Sequence, residues 1–224
     1  MNSVLGTYAR KPISFIRGEG SFLYTEKEEK YLDWIAGIAT NILGHCHPGV
    51  VQAIQDQSKK LIHVSNAFII QEAEHLAKRL TNNTFADKVF FCNSGAESVE
   101  GSIKIVRKYF HTIGKPEKNR IISFSGAFHG RTLAALFLAN NKSHTEGFGP
   151  KVDGFDQVAF ADHEGLKKAI NKNTAAIIAE PLQGEGGVKI LPDYCLKGLR
   201  EICDKNRILL VLDCVQTSFR TGLY

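Results

Sequence analysis

Apolar and polar residues alternate at short range near the N-terminus, then settle into a longer rhythm. Ile13 and Phe15, then Phe22-Leu23-Tyr24, flank Gly18-Glu19-Gly20, and a polar stretch from Glu26 to Lys30 precedes Tyr31-Leu32-Asp33-Trp34. This pattern predicts extended structure over 12–34, a small antiparallel hairpin region with its turn at Gly18-Glu19-Gly20. Pro48 opens a predicted helix over Val50, Ile54 and Leu61, since proline suits a first helical turn. Ala73, Leu76, Ala77 and Leu80 mark a second helix over 71–80. Apolar runs at 88–92, 120–124, 157–160, 175–179 and 208–212 then predict strands, and 3.6-period patterns at 97–111, 131–139, 163–170 and 192–206 predict helices between them. Repeated βαβ units imply a mostly parallel sheet with helices on both faces. The expected organisation is an N-terminal α+β segment over 1–65, followed by an incomplete large α/β domain over 66–224.

The stretch from Val89 to Glu97 is the most informative. An apolar run ends, Ser94-Gly95-Ala96 turns, and Val99, Ile103, Val106 and Phe110 begin a helical stripe. Ser94 and Glu97 stand in the S-x-x-E relation of a capping box, which places a helix start here. A helix N-terminus offers unpaired N–H groups and partial positive charge, so this turn can hold a phosphate; it also reads as an ordinary strand–turn–helix connection.

Composition bounds the possibilities without choosing among them. With 43% hydrophobic and 23% charged residues, the 224-residue chain has the make-up of a soluble globular protein. Its formal charge of +5 is spread over short pairs such as Lys59-Lys60, Arg107-Lys108 and Lys167-Lys168. That suits an anionic small ligand and gives no stripe for nucleic acid. Five scattered cysteines without a C-x-x-C point to reduced thiols and a cytoplasmic setting. Arg10, Lys11 and Arg17 interrupt every early apolar stretch, which argues against a secretory signal, and no apolar run approaches a membrane span. His45-Cys46-His47 suggests a metal, but adjacent side chains point apart and no second ligand cluster follows at zinc spacing, so no metal is expected.

In open α/β sheets, ligands bind beyond the carboxyl ends of the strands. Just past the predicted strands stand Ser94-Gly95-Ala96, then Gly126-Ala127-Phe128-His129-Gly130-Arg131, then Glu180 to Gly187, then Asp213. Their joint placement predicts one ligand site, although singly Phe128 reads as core and Glu180 as a solvated turn acid. A nucleotide module is disfavoured because no G-x-G-x-x-G follows the first parallel strand.

These motifs resemble a known family. Thr7-Tyr8-Ala9-Arg10, Arg17-Gly18-Glu19-Gly20, Gly37-Ile38-Ala39, Leu43-Gly44-His45-Cys46-His47-Pro48, Asn93-Ser94-Gly95-Ala96-Glu97, Phe128-His129-Gly130-Arg131-Thr132 and Glu180 to Gly187 are similar to the class III pyridoxal-phosphate aminotransferases. The acetylornithine branch is nearest, with ornithine and succinylornithine branches beside it. The resemblance implies the fold type I architecture of PLP-transferases and pyridoxal 5'-phosphate as cofactor. It also implies amino transfer between N-acetylornithine and 2-oxoglutarate in arginine biosynthesis, and a cytoplasmic homodimer. Carried over by position, Ser94, Gly95 and Ala96 would hold the cofactor phosphate, Phe128 would stack on its ring and His129 would belong to the same cofactor shell. Asp213 would pair with the pyridinium nitrogen and Gln216 with the ring hydroxyl. Arg131 would clamp the substrate carboxylate, and Glu185 would help sort the two substrates.

The sequence departs from the family at its end. The family's Schiff-base lysine lies downstream of the strand-end aspartate, whereas the last lysine here is Lys205. No catalytic lysine is therefore assigned, and the chain reads as the N-terminal half of such an enzyme; a remnant that at most binds the cofactor non-covalently is the alternative. Cys214, Ser218 and Phe219 also replace an acid and two glycines of the family pattern D-E-V-Q-T-G-x-G-R-T-G.

Overall fold

The structure, a computed structural model, describes residues 3–217, so Ser218 and Phe219 lie outside the described residues. The chain divides into two units, Met1–Gln71 and Glu72–Tyr224.

In the first unit, β1 (Phe15–Glu19), β2 (Phe22–Thr25) and β3 (Lys30–Leu32) form an antiparallel sheet in chain order. The expected hairpin is present, but its turn is displaced. Gly18 and Glu19 are strand residues, Glu19 faces Phe22, and the reversal falls at Gly20-Ser21 with Gly20 at φ +53°. Gly18 has a different reason to be glycine: a Cβ there would meet Cγ of His45 at 2.6 Å. His45 itself is held by the fold, with Nε2 2.8 Å from Asp33 Oδ2 and Nδ1 3.1 Å from Asn41 Nδ2. The neighbouring turn α1 (Ala36–Ala39) is unusual, because Ala36, Gly37, Ile38 and Ala39 all have positive φ. For a β-branched residue such as Ile38 that conformation is costly. Asp33 offsets part of the cost by accepting the N–H groups of Ile35 and Ala36 at 3.0 and 2.9 Å. Helix α2 (Pro48–Ser58) starts at the proline, as expected, but stops short of Leu61.

In the second unit, α3 (Gln71–Asn83) is followed by 88–92, where the sequence predicts a strand. That segment pairs with no strand among the described residues, and Phe90 and Phe91 are exposed. An apolar run becomes a strand only when a neighbour takes its backbone hydrogen bonds. The remaining elements follow the predicted alternation. They are α4 (Gly95–Thr112), β4 (Arg120–Phe124), α5 (Leu133–Ala139), α6 (Lys142–Thr145), β5 (Phe155–Val158), α7 (His163–Ala169) and β6 (Thr174–Ala179). After them come a two-stranded ribbon of β7 (Leu182–Gln183) and β8 (Lys189–Ile190), then α8 (Asp193–Asn206) and β9 (Leu209–Leu212).

Strands β5, β4, β6 and β9 lie side by side in that order, all parallel. The period of two sorts their side chains onto two faces. Ile121, Ala176 and Ile178 meet Val99, Ile103, Val106 and Phe110 of α4 and Ala135 and Leu138 of α5. Ile122, Ile177 and Ala179 meet Leu166 of α7 and Cys195, Leu199 and Cys203 of α8. Covered on both sides, β6 is buried along its whole length, which explains its unbroken apolar sequence. On the edge strand, Arg120 of β4 grips Asp156 of β5 through two contacts of 2.8 Å, a planar fork on a carboxylate that pins the register. All four strands point their carboxyl ends to one edge of the sheet, where the connecting loops gather.

Candidate active site

Three strand-end loops and one helix start build the site. Ser94 caps α4: its Oγ accepts the Glu97 N–H at 3.2 Å, while the Glu97 carboxylate takes the Asn93 N–H. The capping box thus forms, with its return contact one residue earlier than the simplest version. The N–H groups of Gly95 and Ala96 have no acceptor among the described residues. At the head of an 18-residue helix they constitute a positive concave surface.

The loop after β4 runs back over this helix start. Gly130, at φ +123°, has its missing Cβ only 3.0 Å from that of Ala96, so a side chain there would lift the loop away. The loop carries Phe128, His129 and Arg131, and the Arg131 guanidinium lies 5.3 Å from the Phe128 ring centroid. From the end of β9, Asp213 reaches His129, with Oδ2 2.8 Å from Nδ1. The His129 side chain is fully buried, that of Asp213 6% exposed, and His129 Nε2 has no partner among the described residues.

A third loop leaves β6. Glu180 is buried and its Oε2 accepts the Phe128 N–H at 3.0 Å. Burial is the main cause that pushes its carboxyl up to about 7, against the Phe128 N–H and His129, which favour the charged form. Gln183, also buried, donates from Nε2 to the Ser125 carbonyl at 3.3 Å. Gly186 packs so closely that a Cβ would come within 2.8 Å of the Gly126 carbonyl oxygen. The loops after β4 and β6 are therefore packed tightly on one another. Gln183→Leu is expected to strip the Ser125 carbonyl of its donor and destabilise the protein by about 1–3 kcal/mol in denaturant unfolding; a change within about 0.5 kcal/mol would show that the latch contributes nothing.

These loops enclose a cavity of about 240 Å³ lined by residues of all four elements. Among the residues singled out in the sequence, Gly95, Ala96, Phe128, His129, Arg131, Asp213 and Gln216 line it. Ser94 and Glu185 do not: Ser94 serves as the helix cap, and Glu185 is exposed on the 184–188 turn. Glu180, which singly reads as a solvated turn acid in sequence but stands among the strand-end motifs expected to converge, lines the cavity too. Its one sequence signal is position, immediately after the apolar β6 run. No lysine lines the cavity among the described residues.

An anion cradle, an aromatic face, a guanidinium and a buried carboxylate paired with an imidazole together suit a planar, phosphorylated, nitrogen-bearing ligand. The chain belongs to the family described as aminotransferase class III, whose model matches residues 7–224. Within it, the chain is 54% identical over 219 residues to the acetylornithine aminotransferase of Agrobacterium fabrum, covering 97% of this chain and 55% of that protein. It is 52% identical over 217 residues to the acetylornithine aminotransferase of Brucella suis, covering 96% of this chain and 54% of that one. Among solved structures, it is similar to N-acetylornithine aminotransferase from Stenotrophomonas maltophilia, with a TM-score of 0.79 and 37% identity over 93% of this chain and 52% of the other. Ornithine aminotransferase from Toxoplasma gondii superposes with a TM-score of 0.91 at 30% identity, covering 96% of this chain and 52% of that one. The chain spans about half the length of the curated relatives it matches.

Proposed function

We propose that this chain supplies the cofactor-holding part of an aminotransferase that moves an amino group between N-acetylornithine and 2-oxoglutarate, with pyridoxal 5'-phosphate as cofactor. One observation carries the reading. The unpaired Gly95 and Ala96 N–H groups, the Phe128 ring and the Asp213–His129 pair all open on the same cavity. Their chemistry fits the cofactor's phosphate, ring face and ring nitrogen respectively.

When bound, pyridoxal phosphate supplies an electron sink for the negative charge that develops on the carbon losing its proton. The side chains have separate tasks. Asp213 favours a protonated ring nitrogen, because an anion in a poorly solvated cavity stabilises an adjacent cation. His129 fixes the Asp213 carboxyl through Nδ1 and keeps it from turning away. Phe128 confines the ring on one face, and Arg131 offers a planar fork to a substrate carboxylate. Gln216 faces the same cavity and is assigned to the ring hydroxyl. Ser94 acts through the cap that orients the Gly95 and Ala96 N–H groups, and Glu185, outside the cavity lining on the 184–188 turn, is assigned to sorting the two substrates. A homodimer with cytoplasmic residence belongs to the same proposal.

The cavity lining favours a second reading as well. With no lysine on it among the described residues, the chain by itself would hold the cofactor without a covalent bond. The test is to purify the protein as its host makes it, measure pyridoxal phosphate binding by equilibrium dialysis, and assay 2-oxoglutarate-dependent amino transfer with N-acetylornithine, ornithine and N-succinylornithine. Binding with preferential turnover of N-acetylornithine is the expected result. Binding without turnover would select the second reading, and absence of binding would sink both.

A further inference from the structure

Glu180 follows directly on β6 and is 4% exposed, yet no lysine or arginine pairs with it among the described residues. Among the described residues it accepts one hydrogen bond, from the Phe128 N–H at 3.0 Å. It lines the cavity together with Asp213 and His129. The groups whose charge or dipole acts on it come from three segments of the chain. They are His129 and the Phe128 N–H from the loop after β4, Asp213 from the end of β9, and Glu185 from the 184–188 turn. Arg131 lines the same cavity without an ion pair to the Glu180 carboxyl.

Such a carboxylate has one neutral donor and the His129 ring on the side of its charged form, against lost hydration, the largest influence, and two other carboxylates in its field. Those conditions favour the neutral acid, and a neutral acid is a hydrogen-bond donor as well as an acceptor. An incoming ligand that carries a phosphate adds negative charge to a cavity that already holds the Asp213 carboxylate. Ionised Glu180 would repel that ligand, whereas protonated Glu180 would not.

We infer that Glu180 is the proton-holding residue of this cavity: it keeps its proton when an anionic ligand is bound, and its ionisation expels that ligand. The inference rests on the reading of the cavity as the pyridoxal phosphate site. Glu180 thereby acts on the cofactor by charge and by the placement of the Phe128 loop; no step of amino transfer is assigned to it. The tendency of burial to push this carboxyl up to about 7 puts the transition in the neutral range. The sign follows from linkage. An acid whose proton affinity rises further on ligand binding leaves affinity unchanged while it is protonated. It then weakens binding as pH climbs above its titration in the free protein, approaching about tenfold per pH unit.

The experiment compares the wild-type protein with Glu180→Gln, which keeps an acceptor for the Phe128 N–H and cannot ionise. The dissociation constant of pyridoxal 5'-phosphate is measured by equilibrium dialysis between about pH 6 and about pH 9. Titrations of the cofactor itself affect both proteins equally, so the difference between them is the readout. The expected result is a wild-type affinity that falls towards tenfold per unit above about pH 7, with the variant at least tenfold tighter than wild type at the alkaline end. Parallel curves would overturn the inference. Infrared spectroscopy of the cofactor-free protein supplies a second test, through a protonated-carboxyl band that disappears near neutral pH and is missing in Glu180→Gln. If the variant fails to fold, the wild-type band decides alone, and its absence overturns the inference. Failure of wild type to bind the cofactor at any pH would strike the proposed function instead, with the infrared band still judging whether Glu180 holds a proton.

Discussion

In the proposed aminotransferase, replacing Asp213 with alanine is expected to lower amino transfer by on the order of 100-fold or more and to weaken pyridoxal phosphate binding in the same protein. In the proposed function this buried carboxylate is assigned to a protonated ring nitrogen, and a preorganised charge is worth most where water is excluded. The change also leaves His129 Nδ1 buried without its acceptor, a desolvation cost of about 1–3 kcal/mol. Asp213→Asn separates the two effects, because it retains an acceptor for His129 while removing the charge. Loss of rate in both variants, with stability preserved in the asparagine variant, is the expected pattern from steady-state kinetics and denaturant unfolding. Full activity in Asp213→Asn would show that charge at this position is not what the site uses.

The largest expected effect on stability comes from Phe110. It is 2% exposed on the inner face of α4 and packs with Val106, Ile121 and Phe155 in the core on one side of the sheet. Its ring also meets Tyr109 edge-on at 5.1 Å, and the Lys118 ammonium lies 5.4 Å from its centroid. Phe110→Ala removes this payload and leaves a cavity that the rigid sheet below cannot close, at a cost of about 3–5 kcal/mol. Because α4 also presents the Gly95 and Ala96 N–H groups, loosening it should weaken cofactor binding before the protein unfolds. Phe110→Leu, closer in volume, is expected to cost roughly 1–2 kcal/mol. A Phe110→Ala protein within about 1 kcal/mol of wild type would mean that this face of α4 is not core.

Much of this architecture could be read from local pattern. The runs 120–124, 175–179 and 208–212 coincide closely with β4, β6 and β9, because strands covered on both faces carry little polar interruption. The start of α4 was legible because Ser94 and Glu97 form a cap whose chemistry is contained in four residues. What escaped depends on partners far along the chain. The run 88–92 has strand composition, but composition cannot tell whether another strand lies alongside. Ile38 gives no hint of its positive φ, which Asp33 and the surrounding turn impose. Glu180 is gathered into the site by its place just past β6, but its burial and its contact with the Phe128 N–H appear only once the loop carrying Phe128 folds across it. The family motifs indicated which residues to gather in the site, while the contact between His129 and Asp213, 84 residues apart, is a matter of geometry.

The strand order β5-β4-β6-β9 also sets the pace at which the protein can assemble. Each neighbour in this sheet is joined through at least one helix, so no pair can zip up from a tight turn as β1 and β2 can at Gly20-Ser21. Chain entropy is lost in closing each crossover before the ladder returns anything, which makes parallel pairing slow beside a hairpin that closes in about 1–10 μs. During synthesis, β4 and β5 leave the ribosome with one shared edge while β6 is still being made. Until Ile177 of β6 docks beside Ile122, that edge of β4 is open and adhesive. The interval before β6 arrives therefore leaves a growing chain exposed to its neighbours, with an edge that a chaperone can hold.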